Sequence, residues 1–336
     1  MIKSEVIIIG AGPAGSTCGW KLKQQDVACL ILDKQQFPRT KLCAGWITPQ
    51  VIKDLEINVA NYPHSLIKFD QFHVHIKNKY LKIKVNQYGI RRYEFDDWLL
   101  KRSGVTMHQH DVKNIEQDGD DYVIDKKFRC KYLIGAGGTH CPVYRTFFKQ
   151  VNPRSKDLLI VTLEQEFAYN YQDNNCHLWF VQNKLPGYSW YVPKGNGYLN
   201  VGIGGFAEKL KANQDNIKNH WQRFVQELER LALVKNYNFH PKGYIYYIRN
   251  GVVTVRVENA FLIGDAAGLA TRDMGEGIGP AVQSGILAAR SIVEGKPFSL
   301  SKVKKNSFSR YRMLWKLGGS YFINFRRPKN YESKKS

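Results

Sequence analysis

Residues 5–34, EVIIIGAGPAGSTCGWKLKQQDVACLILDK, decide the fold of this chain. Glu5–Ile9 is a short apolar run, the pattern of a buried parallel strand. Gly10, Gly12 and Gly15 follow as GxGxxG, with Pro13 and Ala14 inside it. A helical stretch is predicted from about Ala14 to Gln24, and a second buried strand from Val27 to Leu32, closed by Asp33 and Lys34. Strand, helix and strand make a complete βαβ unit, with its acid on the order of 20 residues past the glycines. Gly10 permits the tight turn, Gly12 lets backbone approach a pyrophosphate, and Gly15 lets helix and strand pack closely. The helix N-terminus then faces negative charge, and Asp33 is placed to accept hydrogen bonds from a ribose.

Outward from this unit, FPRTKLCAGWITP (37–49) reads as a loop by its Pro and Gly content. FHVHI (72–76) and YLKIKV (80–85) read as a hairpin around Lys77-Asn78-Lys79. RRYEFDDWLLKRS turns into a helix over Glu94–Arg102. Short strands are predicted at 105–108, 112–115 and 122–124, and a buried strand at Tyr132–Ile134. From about residue 156 the pattern changes. Leu158–Phe167, His177–Val181, Tyr188–Pro193 and Tyr198–Gly204 read as strands of an antiparallel sheet. Ile217, Trp221, Phe224, Val225, Leu228 and Leu231 share one helical face, an ordinary core stripe. NAFLIGDAAG (259–268) gives a further strand and turn, and GEGIGPAVQSGILAARSIVEG (275–295) a helix started by glycines.

The expected fold class is α/β: a Rossmann-like nucleotide-binding domain with an inserted, mostly antiparallel β-sheet domain and C-terminal helices. The nucleotide-binding domain is discontinuous, at 1–65, 88–155 and 250–300. The inserted domain takes 66–87 and 156–249, and 301–336 form a basic helical tail. A chain of 336 residues with 43% hydrophobic content suffices for such a core. No apolar run reaches the roughly 20 residues that span a bilayer. Met1-Ile2-Lys3-Ser4 is no signal-peptide lead, so the expected location is cytoplasmic, at most peripheral on the inner face of the membrane. The six cysteines lack CxxC or zinc spacing and are expected as thiols. The net charge of +21 implies an anionic partner: nucleic acid, anionic lipid or a phosphorylated substrate. From Lys302 to Lys335 basic residues interleave with Phe308, Tyr311, Leu314, Trp315 and Tyr321, and Glu332 is the single acid. That composition suits either an amphipathic helix on anionic lipid or a final helix packed on the body. No RNA-binding module is visible, which argues against nucleic acid.

Three separated motifs then align: GAGPAG with Asp33; Arg92-x-x-Phe95-Asp96-x-x-Leu99; and Ile263-Gly264-Asp265-Ala266-Ala267-Gly268 with Gly275-Glu276-Gly277-Ile278. In order and spacing they resemble the FAD-dependent oxidoreductases that include aromatic hydroxylases and geranylgeranyl reductases, up to about residue 295. The resemblance implies FAD as cofactor. It places Asp265 on the ribityl hydroxyls, Val112 as a backbone contact to adenine, and the helix from about Glu276 toward the anionic reduced flavin. Tyr188-x-Trp190-Tyr191-Val192-Pro193, followed by Gly202-x-Gly204, resembles the substrate-site motif of geranylgeranyl reductases, with Val192 replacing the second aromatic. It implies an apolar cavity for a polyprenyl chain. Lys41-Leu42-Cys43-Ala44-Gly45 resembles the Cys-Gly-Gly loop beside the flavin, with Ala44 in place of the second glycine. Arg39 and Lys41 are in reach of a diphosphate, or are simply solvated.

The implied reaction is reduction of isolated carbon–carbon double bonds in an isoprenoid or related lipid. Cys43, Tyr188 and a bound water are the candidate proton donors. Aromatic hydroxylases carry Asp-Gly where this chain has Gly137-Gly138, and no second complete Rossmann unit is present. The electron donor therefore stays open between NAD(P)H and a donor protein. The alternatives are a flavin monooxygenase or dehydrogenase acting on another apolar molecule, and a non-catalytic FAD-bound protein docking on membranes. His73 with His75, and His108 with His110, alternate on strands without an evident third ligand, so no metal is expected. His140 falls near the expected cofactor side.

Overall fold

The structure is a computed structural model and describes residues 1–307 apart from 78, 250, 252 and 253. Two eight-stranded sheets carry it. In the first, Ile2–Ile9 lies between Cys29–Asp33 and Phe128–Gly135 and pairs parallel with both. Val6, Ile7 and Ile8 are fully buried and feed the cores on both faces of the sheet, which is why the run reads as continuous rather than alternating. Met107–Gln109 and Ala260–Leu262 extend the parallel sheet, and a hairpin of Ile115–Asp118 and Asp121–Ile124 attaches to Phe128–Gly135.

The helix Pro13–Lys23 starts at Gly12 with proline in its first turn. It packs on the helix Ile278–Glu294, which ends at Gly295 in the left-handed region. Small residues allow the approach: a Cβ on Gly285 would stand 2.5 Å from the Ala14 carbonyl oxygen. The helix over the RYEFDDW segment runs Arg92–Ser103, two residues earlier than its apolar spacing suggests.

The second sheet orders Lys242–Tyr247, Leu159–Ala168, Tyr198–Phe206, Gly187–Lys194, Cys176–Phe180, Ile67–Ile76, Lys79–Gly89 and Trp46–Ile47. It is antiparallel except between Cys176–Phe180 and Ile67–Ile76, which run parallel. Lys242–Tyr247 and the two-residue strand Trp46–Ile47 have no counterpart in the sequence reading. The helix Ile217–Arg230 is capped by the Asn216 side chain, which accepts from the Lys218 and Asn219 amides. It lays Trp221, Phe224 and Leu228 on one face of this sheet, against Tyr191, Val201 and Ile203. Of the expected helical tail, residues 301–307 form turn and loop, and 308–336 lie outside the described residues. Among the described residues no helix is long and apolar enough to cross a membrane.

Candidate functional site

A cavity of about 1060 Å³ lies between the two sheets. One end is lined by the GAGPAG turn, Asp33 and Lys34; the other by Tyr188, Trp190 and Gly204; the loop 39–46 lies along it. Gly10 sits at φ 112°, and a Cβ there would stand 2.5 Å from the Ala136 carbonyl oxygen. That position requires glycine. Asp33 accepts from the Ala11 amide at 2.8 Å and the Gln35 amide at 2.9 Å, which fixes its carboxylate at the turn.

Both helices that begin at the cavity lack a side-chain cap: Gly12 and Gly277 precede them and offer none. The first helix leaves the Ala14 and Gly15 amides uncapped for an anion, while at the second the Gly279 amide is engaged by the Glu276 carboxylate. Arg92 donates to Asp96 through Nε at 2.6 Å and Nη2 at 2.7 Å. Arg39 Nη2 lies 3.3 Å from the same carboxylate. One buried carboxylate thus serves two guanidinium groups. Arg39 is left with a buried Nη1 that has no hydrogen-bond partner among the described residues. Its Nη2 lies 3.6 Å from where a Gly12 side chain would begin. A guanidinium with one unpartnered nitrogen, beside the uncapped start of the first helix, fits the diphosphate of FAD. Asp265, Gly275, Gly277, Ile278 and Val112 also line the cavity, and a Cβ on Gly277 would stand 3.0 Å from Asp265 Oδ1. The exposed His140 lines it as well.

Gly15 and Gly264 lie off the cavity, because their role is close packing. A Cβ on Gly15 would overlap the Gly10 carbonyl oxygen at 1.9 Å, and one on Gly264 would stand 3.0 Å from Ala14 Cβ.

The aromatic wall follows strand alternation. Tyr188 and Trp190 face the cavity. The Tyr188 hydroxyl donates to the Met274 carbonyl at 2.7 Å, and burial pushes its acidity far below that of a free phenol. Trp190 Nε1 donates to Asn200 Oδ1 at 2.7 Å. Tyr191 and Pro193, expected in the substrate wall, fall on the opposite face. Tyr191 is fully buried under the helix Ile217–Arg230 and its hydroxyl donates to the Asp173 carbonyl. A period of two residues cannot put 190 and 191 on one side. Gly202 also does not line the cavity: the Trp190 indole covers it, and a Cβ there would stand 2.2 Å from that ring.

Cys43 lines the cavity, and its sulfur accepts from the Gly45 amide at 3.4 Å. Two residues without a signal in the sequence reading hold this region. Lys194 is fully buried and donates through Nζ to the Ala44 carbonyl and, at 2.6 Å, to the Gly45 carbonyl; burial pulls its ammonium down to about 8. Glu164, 2% exposed, lines the cavity beside Trp190. Alternation along Leu158–Phe167 is the signal that finds it, since it puts Thr162 and Glu164 on one face.

On the other face, parallel pairing brings His177 beside His73, so a third ligand type does exist where the strand pattern alone shows none. His73, Asp173 and His177 place ligand atoms within 4.8 Å of one another. Each is engaged within the protein: His177 with Asp173 at 3.0 Å and His75 at 3.1 Å, His73 with Tyr80 at 2.8 Å.

Comparison with known proteins agrees with this geometry. The family described as geranylgeranyl reductase catalytic domain matches residues 159–238, and the NAD(P)-binding Rossmann-like domain matches 8–68. An uncharacterized protein of Methanosarcina barkeri is 34% identical over 312 residues, 87% of this chain and 75% of that protein. Digeranylgeranylglycerophospholipid reductase 2 of Methanosphaera stadtmanae is 24% identical, covering 98% of this chain and 88% of its own. A geranylgeranyl bacteriochlorophyll reductase-like protein of Thermoplasma acidophilum shares the fold, with TM-score 0.73 at 18% identity over 88% of this chain and 79% of that one. A flavin cradle joined to an aromatic-walled cavity, in a chain with these relatives, belongs to the geranylgeranyl reductase-like family of FAD-dependent oxidoreductases.

Proposed function

We propose that this enzyme reduces isolated carbon–carbon double bonds in an isoprenoid lipid, with the chain lying against Tyr188 and Trp190. The observation that carries the reading is the continuity of one cavity from the GAGPAG turn to that wall. When bound, FAD supplies the redox chemistry, giving a hydride in its reduced form. Gly10, Gly12, Pro13, Ala14, Asp33, Lys34, Arg39, Asp265, Gly275, Gly277 and Ile278 would hold it, with Arg92 positioned through Asp96. The protein's own part is to orient the alkene, exclude water and supply a proton. An unactivated alkene accepts hydride poorly, so alignment and proton delivery dominate the barrier. The relative named a digeranylgeranylglycerophospholipid reductase supports a phospholipid substrate bearing geranylgeranyl chains. The basic segment 301–336 would dock on the anionic membrane that contains it.

The test follows flavin absorbance without oxygen. Protein reduced with dithionite is mixed with a phospholipid bearing geranylgeranyl chains. Reoxidation, with two hydrogens gained per bond in the product, is the expected result. Reduced flavin that persists until oxygen is admitted overturns the reading. Parallel reductions with NADPH and with a reduced electron-transfer protein identify the donor. NAD(P)H as direct donor would need a site other than the unit expected to hold FAD.

A further inference from the structure

We propose that Glu164 is the catalytic acid that protonates the alkene. This rests on the reductase reading above. Glu164 lies on Leu159–Ala168, opposite Gly202 on one neighbouring strand and Lys242 on the other. Because residue 202 has no side chain, nothing separates the Glu164 side chain from the Trp190 ring: a Cβ there would stand 2.7 Å from Glu164 Cβ and 2.2 Å from the indole. The carboxyl therefore sits in the wall against which the substrate chain is placed. Its Oε1 is buried and has no hydrogen-bond partner among the described residues. A buried oxygen without a partner is costly and points to a bound molecule as its missing neighbour.

The two side-chain candidates of the sequence are engaged elsewhere. The Tyr188 hydroxyl donates its hydrogen bond to the Met274 carbonyl. The Cys43 sulfur is engaged by the Gly45 amide and the Arg92 guanidinium. Burial pushes the Glu164 carboxyl up to about 8, with Glu166 acting in the same direction and Lys41, Lys194 and Arg92 opposing. Tyr246 and Lys242 also line the cavity near it. The shift favours the protonated form at neutral pH, the form a catalytic acid needs.

One alkene carbon would receive a hydride that bound, reduced FAD would supply, the flavin losing two electrons. The other carbon forms a C–H bond with the Glu164 proton as the O–H bond breaks. The carboxylate left behind regains a proton from water.

Glu164→Gln keeps shape and removes the acid. Two measurements decide. In flavin-free protein, infrared difference spectra between wild type and E164Q should show a protonated carboxylic acid at neutral pH that disappears as pH rises through about 8. In the dithionite-reduced holoenzyme, E164Q should bind the same flavin but reoxidise with geranylgeranyl phospholipid at least about 100-fold more slowly. The wild-type rate should fall with rising pH, and E164Q should lose that limb. Glu164→Asp, which retains an acid on a shorter arm, should keep the alkaline limb at a reduced rate. E164Q at wild-type rate, or with an unchanged limb, overturns the assignment while leaving the reductase reading intact. Wild-type protein that never reoxidises with the lipid overturns both. A carboxylate already ionised at neutral pH overturns the proton-donor role by itself.

Discussion

The two faces of the second sheet are built from the same strands and do opposite things. On one face, Tyr191, His177, Trp179 and Ile203 are sealed under the helix Ile217–Arg230, and the histidines bond to Asp173, Tyr80 and each other. On the other, Tyr188, Trp190 and Glu164 border a cavity, and the Glu164 carboxyl has an oxygen without a partner. The aromatic and titratable content is similar. What differs is what the polar groups face: on the sealed face the histidines bond within the protein and the unpartnered Trp179 Nε1 is packed under the helix, while on the other face the unpartnered Glu164 oxygen belongs to a residue of the cavity wall. A satisfied buried network holds structure together, while an unsatisfied group at a cavity wall is a place for a ligand.

Substitution on the sealed face should move stability and leave chemistry alone. Phe224→Ala removes a ring packed on Trp179 and should cost about 3–5 kcal/mol. A urea midpoint would register that loss, with flavin reoxidation per folded molecule unchanged. A variant that folds normally but reoxidises slowly would break the distinction between the faces.

The histidines sharpen it through pH. Burial pulls His177 down from 6.5 to about 4. The unfolded chain therefore binds the proton first, and stability is full above about 6.5 and lost as pH falls toward 4. The whole shift is worth roughly 3 kcal/mol. Urea midpoints between pH 7 and 4 should show this slope in wild type and a shallower one in His177→Asn. Equal slopes would mean that His177 does not carry the effect.

The smallest expected effect belongs to Lys194, at the cavity end of the same sheet. Lys194→Met loses two bonds to carbonyls of the Cys43 loop, but no longer buries an ammonium. The net stability change should be about 1 kcal/mol. Looser placement of the loop should slow lipid-driven reoxidation on the order of tenfold. A larger loss of stability than of rate would make Lys194 a residue of the sealed core rather than of the site.

Much of the nucleotide-binding half was legible because its signals are local. Gly10 is required by its own φ angle and by the carbonyl beside it. The run Val6–Ile8 is apolar because it is buried on both sides. The second half was legible as strands but not as faces. Tyr191 and Pro193 read with Trp190 as one aromatic cluster, and alternation separates them. Gly202 reads as part of the substrate-site motif, and the space beside it is taken by the Trp190 indole. The parallel pairing that puts His177 beside His73 joins residues about a hundred positions apart, and no local pattern announces it.

The sequence by itself determined the βαβ unit, the three cofactor motifs and the family resemblance, since backbone geometry and short-range spacing suffice for them. Tertiary structure decided which side of each strand meets the cavity. It also decided that Glu164 and Lys194 lie deep in the protein while Arg39, placed beside Gly12, keeps one nitrogen without a partner among the described residues. The physical reason is that exposure to water and pairing of charge depend on neighbours distant in the chain. Glu164 is an ordinary strand glutamate until Trp190, Lys41, Lys194 and Glu166 close around it.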